Sequence, residues 1–186
     1  MIGQLPTSLE VGGRKYEINS DFRVILNIYA AFGDPELTNE EKCMVCINNL
    51  YKDPGSIPLK DMQEAAVKAY WFAGGGDIPE EKESPGKIID WEQDEHMIFP
   101  AVNKAAGFET RAVPYLHWWS FLGLFGEIGD GLLSQVLHIR QKKAKHEKLE
   151  KWEEKFCREH KSLVEIKRKY TKEEQAENER ISALLD

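Results

Sequence analysis

The sequence predicts a mainly α protein: a compact helical domain that opens on a short β-hairpin and closes on charged helices. Three observations carry that prediction. Apolar residues recur at helical spacing through most of the chain. Start and stop signals for helices punctuate those stretches. Only one stretch, residues 8–18, reads as paired strands. The 186 residues suit one domain, or one domain with an appendage, and a chain of that length buries about 70% of its unfolded surface. With 41% apolar and 31% charged residues, the composition is that of a folded chain and excludes disorder.

The hairpin is read from two short runs flanking Gly12-Gly13, a pair that supplies the positive φ angles of a tight turn. An isolated hairpin is marginal, so it must lean on helices. Ser20 then reads as an N-cap, with Asp21 at the positive end of the helix dipole. Phe22, Ile25, Leu26 and Tyr29 continue at helical spacing until Gly33-Asp34-Pro35 stops them. Thr38 and Glu41 form a capping box ahead of a second helix with Met44, Ile47 and Leu50 on one face. Asp53-Pro54-Gly55 breaks it, and Pro58 suits the first turn of a third helix. That helix carries Met62, Ala66, Ala69, Tyr70 and Ala73, and ends at Gly74-Gly75-Gly76.

Prolines, Gly86 and four acids then mark a linker or loop. Helical signals resume near Asp90, with Trp91, Glu95, Ile98 and Val102 on one side and Gly107 as a C-cap. Pro100 predicts a kink, or two shorter helices. Pro114 opens an aromatic segment reaching Ile128, apolar around nearly its whole circumference, which predicts a central buried helix. The run from Tyr115 to Leu137 is long enough to span a bilayer. His117, Glu127, Asp130 and four glycines interrupt it and argue against that. Gly123, Gly126 and Gly129 recur every third residue; tight internal packing is the favoured reading, a subunit contact the sharper one. Leu132 to Ile139 is amphipathic. Beyond it, Leu149, Trp152, Phe156, Leu163 and Ile166 are spaced as a helical stripe among lysines and glutamates, with Glu147 and Lys151 as an i, i+4 pair. Thr171 and Glu174 make a further capping box before a last helix. The chain thus divides into a hairpin with helices (1–76), an acidic Pro/Gly linker or loop (77–89), an aromatic-rich helical core (90–139) and charged C-terminal helices (140–186).

Charge is unevenly spread. Residues 1–137 hold 11 Lys+Arg against 21 Asp+Glu, and residues 138–186 hold 14 against 11. The acidic body repels nucleic acid at long range, and the mixed signs of the tail suit exposed helices better than a phosphate-binding patch. Three cysteines and no leader-like N-terminus predict reduced thiols and no targeting segment.

The chemical motifs are weak. Cys43-x-x-Cys46 lacks a second pair of zinc ligands and lies mid-helix, unlike a redox motif, so it reads as two small buried side chains. Glu92 and His96 stand at i, i+4, yet two ligands do not define a metal site. His146-Glu147 begins like a zincin motif, but Glu150 occupies the second ligand position. There is no phosphate loop and no nucleophile elbow, and Gly74-Gly75-Gly76 ends a helix rather than preceding one. No enzyme, catalytic residue, metal, cofactor or small-molecule substrate is expected. The aromatic segment supplies core or partner contacts, core being favoured. Candidate protein-binding residues are Tyr115, Trp118, Trp119, Phe125, Gly123, Gly126 and Trp152.

Several blocks together resemble a known family. They are Asn19-Ser20-Asp21-Phe22-Arg23; Tyr115-Leu116-His117-Trp118-Trp119-Ser120-Phe121; Glu127-Ile128-Gly129-Asp130; Ile139-Arg140-Gln141-Lys142-Lys143; and Lys148-Leu149-Glu150-Lys151-Trp152-Glu153. They resemble the gene-product-fifteen family of long-tailed phages and prophages of Gram-positive bacteria, over most of the chain. The resemblance implies a tail assembly chaperone that oligomerises and binds the tape-measure protein in the host cytoplasm, and is absent from the mature virion. Alternatives are a structural virion component, such as a connector or tail-completion protein, and nucleic-acid binding through the C-terminal helices. The family brings no catalytic residues.

Overall fold

In the computed structural model, which describes residues 3–77 and 86–185, Gly12 and Gly13 take φ of +57° and +74°. They turn β1 (Ser8–Val11) back on β2 (Arg14–Glu17) in antiparallel register, Ser8 opposite Glu17 and Val11 opposite Arg14. Period-two alternation puts Leu9, Val11 and Tyr16 on the buried side. The expected linker falls largely on residues 78–85, outside the described residues.

Helix α1 (Phe22–Phe32) buries Phe22, Ile25 and Ile28. Its N-cap is Asp21, whose carboxylate accepts from the Arg23 N–H at 3.0 Å, and not Ser20. Ser20 is buried instead and shares a 2.8 Å hydrogen bond with the Tyr115 hydroxyl. Helix α2 (Asn39–Leu50) starts at the expected capping box, Thr38 with Glu41. Its buried arc is Cys46, Ile47 and Leu50, and Cys43, one turn before Ile47, packs on the same core; Met44, one position round from Cys43, points outward. Two 3₁₀ turns (Pro54–Ser56 and Leu59–Asp61) lead into α3 (Met62–Ala73), so Pro58 precedes the second turn instead of entering the helix. Ala65, Ala66, Ala69 and Ala73 are buried, and small side chains there let α2 and β1 approach closely. Tyr70 stays partly exposed.

Helix α4 (Glu95–Ala106) is one helix and contains Pro100. It begins later than expected, after a turn over residues 91–94. Pro100 is exposed, so the His96 carbonyl that loses its N–H partner to the ring lies on the solvent side, where the loss is least costly, and the helix is not divided. Gly107 caps it at φ +75°.

The aromatic segment is corrected most. Helix α5 runs only from Trp118 to Gly126, and only Trp118 and Phe121 in it are fully buried. Residues 115–117 are held extended by backbone pairing with residues 20–22, and His117 caps the helix by accepting from the Trp119 N–H. Tight internal packing at the glycines is also not found. A methyl group at Gly123, Gly126 or Gly129 would meet nothing within 4 Å, and Gly129 lies beyond the helix.

Helix α6 (Leu132–Ala144) buries Leu133, Val136, Ile139 and Arg140. The stripe expected over residues 140–170 is broken into α7 (Lys151–Glu159) and α8 (Lys161–Val164), with His146 at φ +56° ending the preceding stretch. Glu147 therefore lies outside the helix that contains Lys151. Helix α9 (Lys172–Leu185) follows the expected Thr171–Glu174 box.

One apolar cluster draws on the hairpin and on α1 through α6. At its centre Phe22 stacks on Phe121, ring centroids 4.7 Å apart and 1° from parallel. Trp118 packs on Phe121, and its indole N–H donates to the Ala73 carbonyl at 2.8 Å, closing α3 against α5.

Candidate interaction surface

Two of the distinctive sequence blocks meet at a backbone clasp. The Phe22 N–H donates to Leu116 O at 3.0 Å and the Trp118 N–H to Ser20 O at 2.8 Å, joining the starts of α1 and α5. Asp21 sits between them. Besides capping α1, it accepts from the Leu116 N–H at 3.0 Å and pairs with the Arg23 guanidinium. Arg23 also donates to Arg111 O and Val113 O at 3.0 and 2.7 Å, fixing the loop before Pro114. His117 donates through Nε2 to Pro6 O at 2.9 Å and accepts at Nδ1, which requires the neutral ring.

Two further blocks meet at a buried ionic knot. Arg140 pairs bidentately with Asp94, at 2.5 and 2.9 Å, and donates to the carbonyls of Ile88, Leu163 and Val164. It ties α6 to the start of α4 and the end of α8. Nearby, the buried Glu153 carboxylate accepts from Lys142 at 2.7 and 2.9 Å, from the Glu150 N–H and from His138. The Lys142 hydrogen bond holds the Glu153 carboxyl below the ordinary glutamate value, helped by the Glu150 N–H.

The residues expected to bind a partner do not form one patch. Trp118 has no exposed surface and belongs to the core. Trp119 is half-buried against Trp71 and Phe72 and donates to the Phe72 carbonyl. Phe125 turns the other way, onto Trp91. Tyr115 is 52% exposed, beside Ser20. Gly123 and Gly126 lie on the solvent side of α5, and Trp152 stands 49% exposed on α7.

The chemical candidates are dispersed. Cys46 is buried, and desolvation pushes its thiol up to about 12; Cys43 is half-buried. Glu92 lies outside α4 and pairs with Lys169, while His96 Nδ1 is bonded to Gln93 O, so the expected Glu92–His96 face does not form. His146, in its left-handed turn, cannot start a helical zinc motif. Among the described residues no group of three or more His, Cys, Asp or Glu is placed to hold a metal ion, and no helix is long and apolar enough to cross a membrane.

A groove of 380 Å³ between α1 and α4 was not anticipated from the sequence. Phe22, Leu26, Ala30, Trp91 and Phe99 give it an apolar lining, and Arg23, Arg111, Glu92 and Glu95 add both charges. The Arg23 guanidinium lies 4.5 Å over the Phe22 ring and that of Arg111 4.8 Å over Phe99. Glu109 orients Arg111 at 2.7 Å, a hydrogen bond that brings the Glu109 carboxyl down to about 2. No sequence signal marks it: Leu26 and Trp91 fall on inward faces of the periodic pattern, and only the structure shows that they stay half-buried.

Compared with known proteins, the chain matches over residues 1–171 the family model described as Bacteriophage Gp15 protein. No curated protein and no solved structure matches it.

Proposed function

The chain belongs to the bacteriophage Gp15 protein family, a family of phage structural or morphogenesis proteins, and from that premise we propose that it is a tail assembly chaperone for the tape-measure protein. The observation that carries the reading is the groove between α1 and α4. A long tape-measure helix exposes an apolar stripe before the tail tube encloses it, and would aggregate unprotected. An amphipathic helix laid in an apolar groove buries such a stripe, and the mixed charges beside it suit the polar flanks of a helix. One chaperone covers a few turns, so many copies must line one tape-measure chain, and self-association belongs to the proposal. The work is done in the cytoplasm of the host and ends when the tube is closed.

Quantitative mass spectrometry of phage lysates and purified particles tests this role. The protein is expected in lysates and absent from mature particles. Stoichiometric presence in particles overturns the chaperone role in favour of a connector or tail-completion component.

A further inference from the structure

Two helices turn unlike charges outward around an exposed apolar side chain. On α7, Glu153, Phe156 and Cys157 face inward to differing depths, which leaves Lys151, Lys155 and Arg158 at i, i+4 and i+7 on the outer side. Trp152 stands beside them, 49% exposed, its indole N–H bonded to Glu150. Residues 140–169 as a whole hold 12 Lys+Arg against 6 Asp+Glu. The local acids are Glu150, engaged by the indole N–H, Glu154, and Glu159, which lies 3.8 Å from Lys155.

Helix α2 presents the opposite pattern. Cys46, Ile47 and Leu50 face inward, and Met44 points out, 46% exposed, with Glu40 and Asn48 one turn to either side and Glu41 adjacent. Residues 34–44 hold four carboxylates against one base, Lys42.

We propose that the outer face of α7, centred on Trp152, docks on the outer face of α2, centred on Met44, of a second copy of this chain. Charge complementarity selects the occupant: the basic ridge of Lys151, Lys155 and Arg158 beside the indole meets Glu40 and Glu41 beside the thioether. Exposed ion pairs alone are weak. Trp152 against Met44 therefore supplies the desolvated centre, where a polarizable sulfur meets an aromatic ring. The two faces differ, so the contact is heterologous: each copy keeps one free α2 face and one free α7 face, and the assembly grows as a row. A row is the form needed to cover a long helical partner. This rests on the chaperone reading for its purpose only; the contact is tested on the chain alone, and its failure leaves tape-measure binding to its own test.

Sedimentation velocity on the full chain should show a mass that grows with concentration, more at about 0.05 M than at about 0.5 M salt. Trp152→Ala should weaken association about tenfold or more. Charge reversal gives the sharper test. Lys151→Glu/Lys155→Glu and Glu40→Lys/Asn48→Lys change exposed positions outside the capping box, and circular dichroism checks that each variant is folded. Each alone should fail to associate, and an equimolar mixture should recover association, because each chain then offers the face the other needs. A wild-type chain that stays monomeric, or folded variants whose mixture does not recover, overturns the proposal. So does a duplex-DNA shift at physiological salt that these α7 substitutions abolish while leaving self-association unchanged.

Discussion

Asp21 and Ser20 are both cap-competent residues, and local sequence cannot choose between them. The choice is made by Tyr115, 95 positions away, which takes the Ser20 hydroxyl and leaves Asp21 to cap α1 and receive the Leu116 N–H. Asp21→Ala should therefore cost about 2–4 kcal/mol in chemical denaturation, from a lost cap and an orphaned amide. Ser20→Ala should cost only about 1 kcal/mol, the value of one hydrogen bond; equal losses would refute the assignment. Arg140 was equally hidden. It reads as one more cation of a charged tail, and nothing near it in sequence reveals Asp94 or the carbonyls it serves. Arg140→Met leaves Asp94 buried without its partner and should cost about 3–5 kcal/mol. Cys46, by contrast, was legible as a small apolar residue. Burial and a raised pKa predict that an alkylating reagent modifies it only after unfolding.

At the scale of the element, capping boxes and turn glycines were read correctly because their chemistry is local: Thr38–Glu41, Thr171–Glu174, Gly12-Gly13 and Gly107 all stand as expected. Continuous apolar composition misled at α5. Pro114 to His117 is apolar enough for a helix, but its backbone is spent on the clasp with residues 20–22. The glycines of α5 then face open space, which makes Gly123 a clean test. Gly123→Ala should raise stability by about 0.5–1 kcal/mol, the helix-propensity gain without a clash. The junction of α6 and α7 should be acid-sensitive. Glu153 has its carboxyl lowered from 4.5 in the folded chain, so its contribution is complete above 4.5 and is lost as pH falls through the lowered folded value. As pH falls below 4.5, wild type should lose more stability than Glu153→Gln, measured by thermal melts.

At the scale of the whole molecule, helical class and hairpin followed from periodicity, and the family blocks were visible in the sequence. What they do was not visible: the clasp joins blocks about 95 residues apart, and in the ionic knot Arg140 reaches Asp94, which belongs to none of the blocks. Both uses are architectural, which moves the candidate binding surface off the aromatic segment. The proposed function places it instead on the groove between α1 and α4, whose half-buried lining no local pattern marks. Co-expression with the tape-measure protein, followed by affinity capture of the soluble fraction, tests that account most directly. Ala30→Arg, a substitution that fills the groove from α1 without removing a core side chain, serves as the matched control. Wild type should keep the tape-measure protein soluble and co-purify with it, and Ala30→Arg, equally folded, should lose both. Equal capture by wild type and Ala30→Arg, or no gain in solubility with wild type, would contradict it.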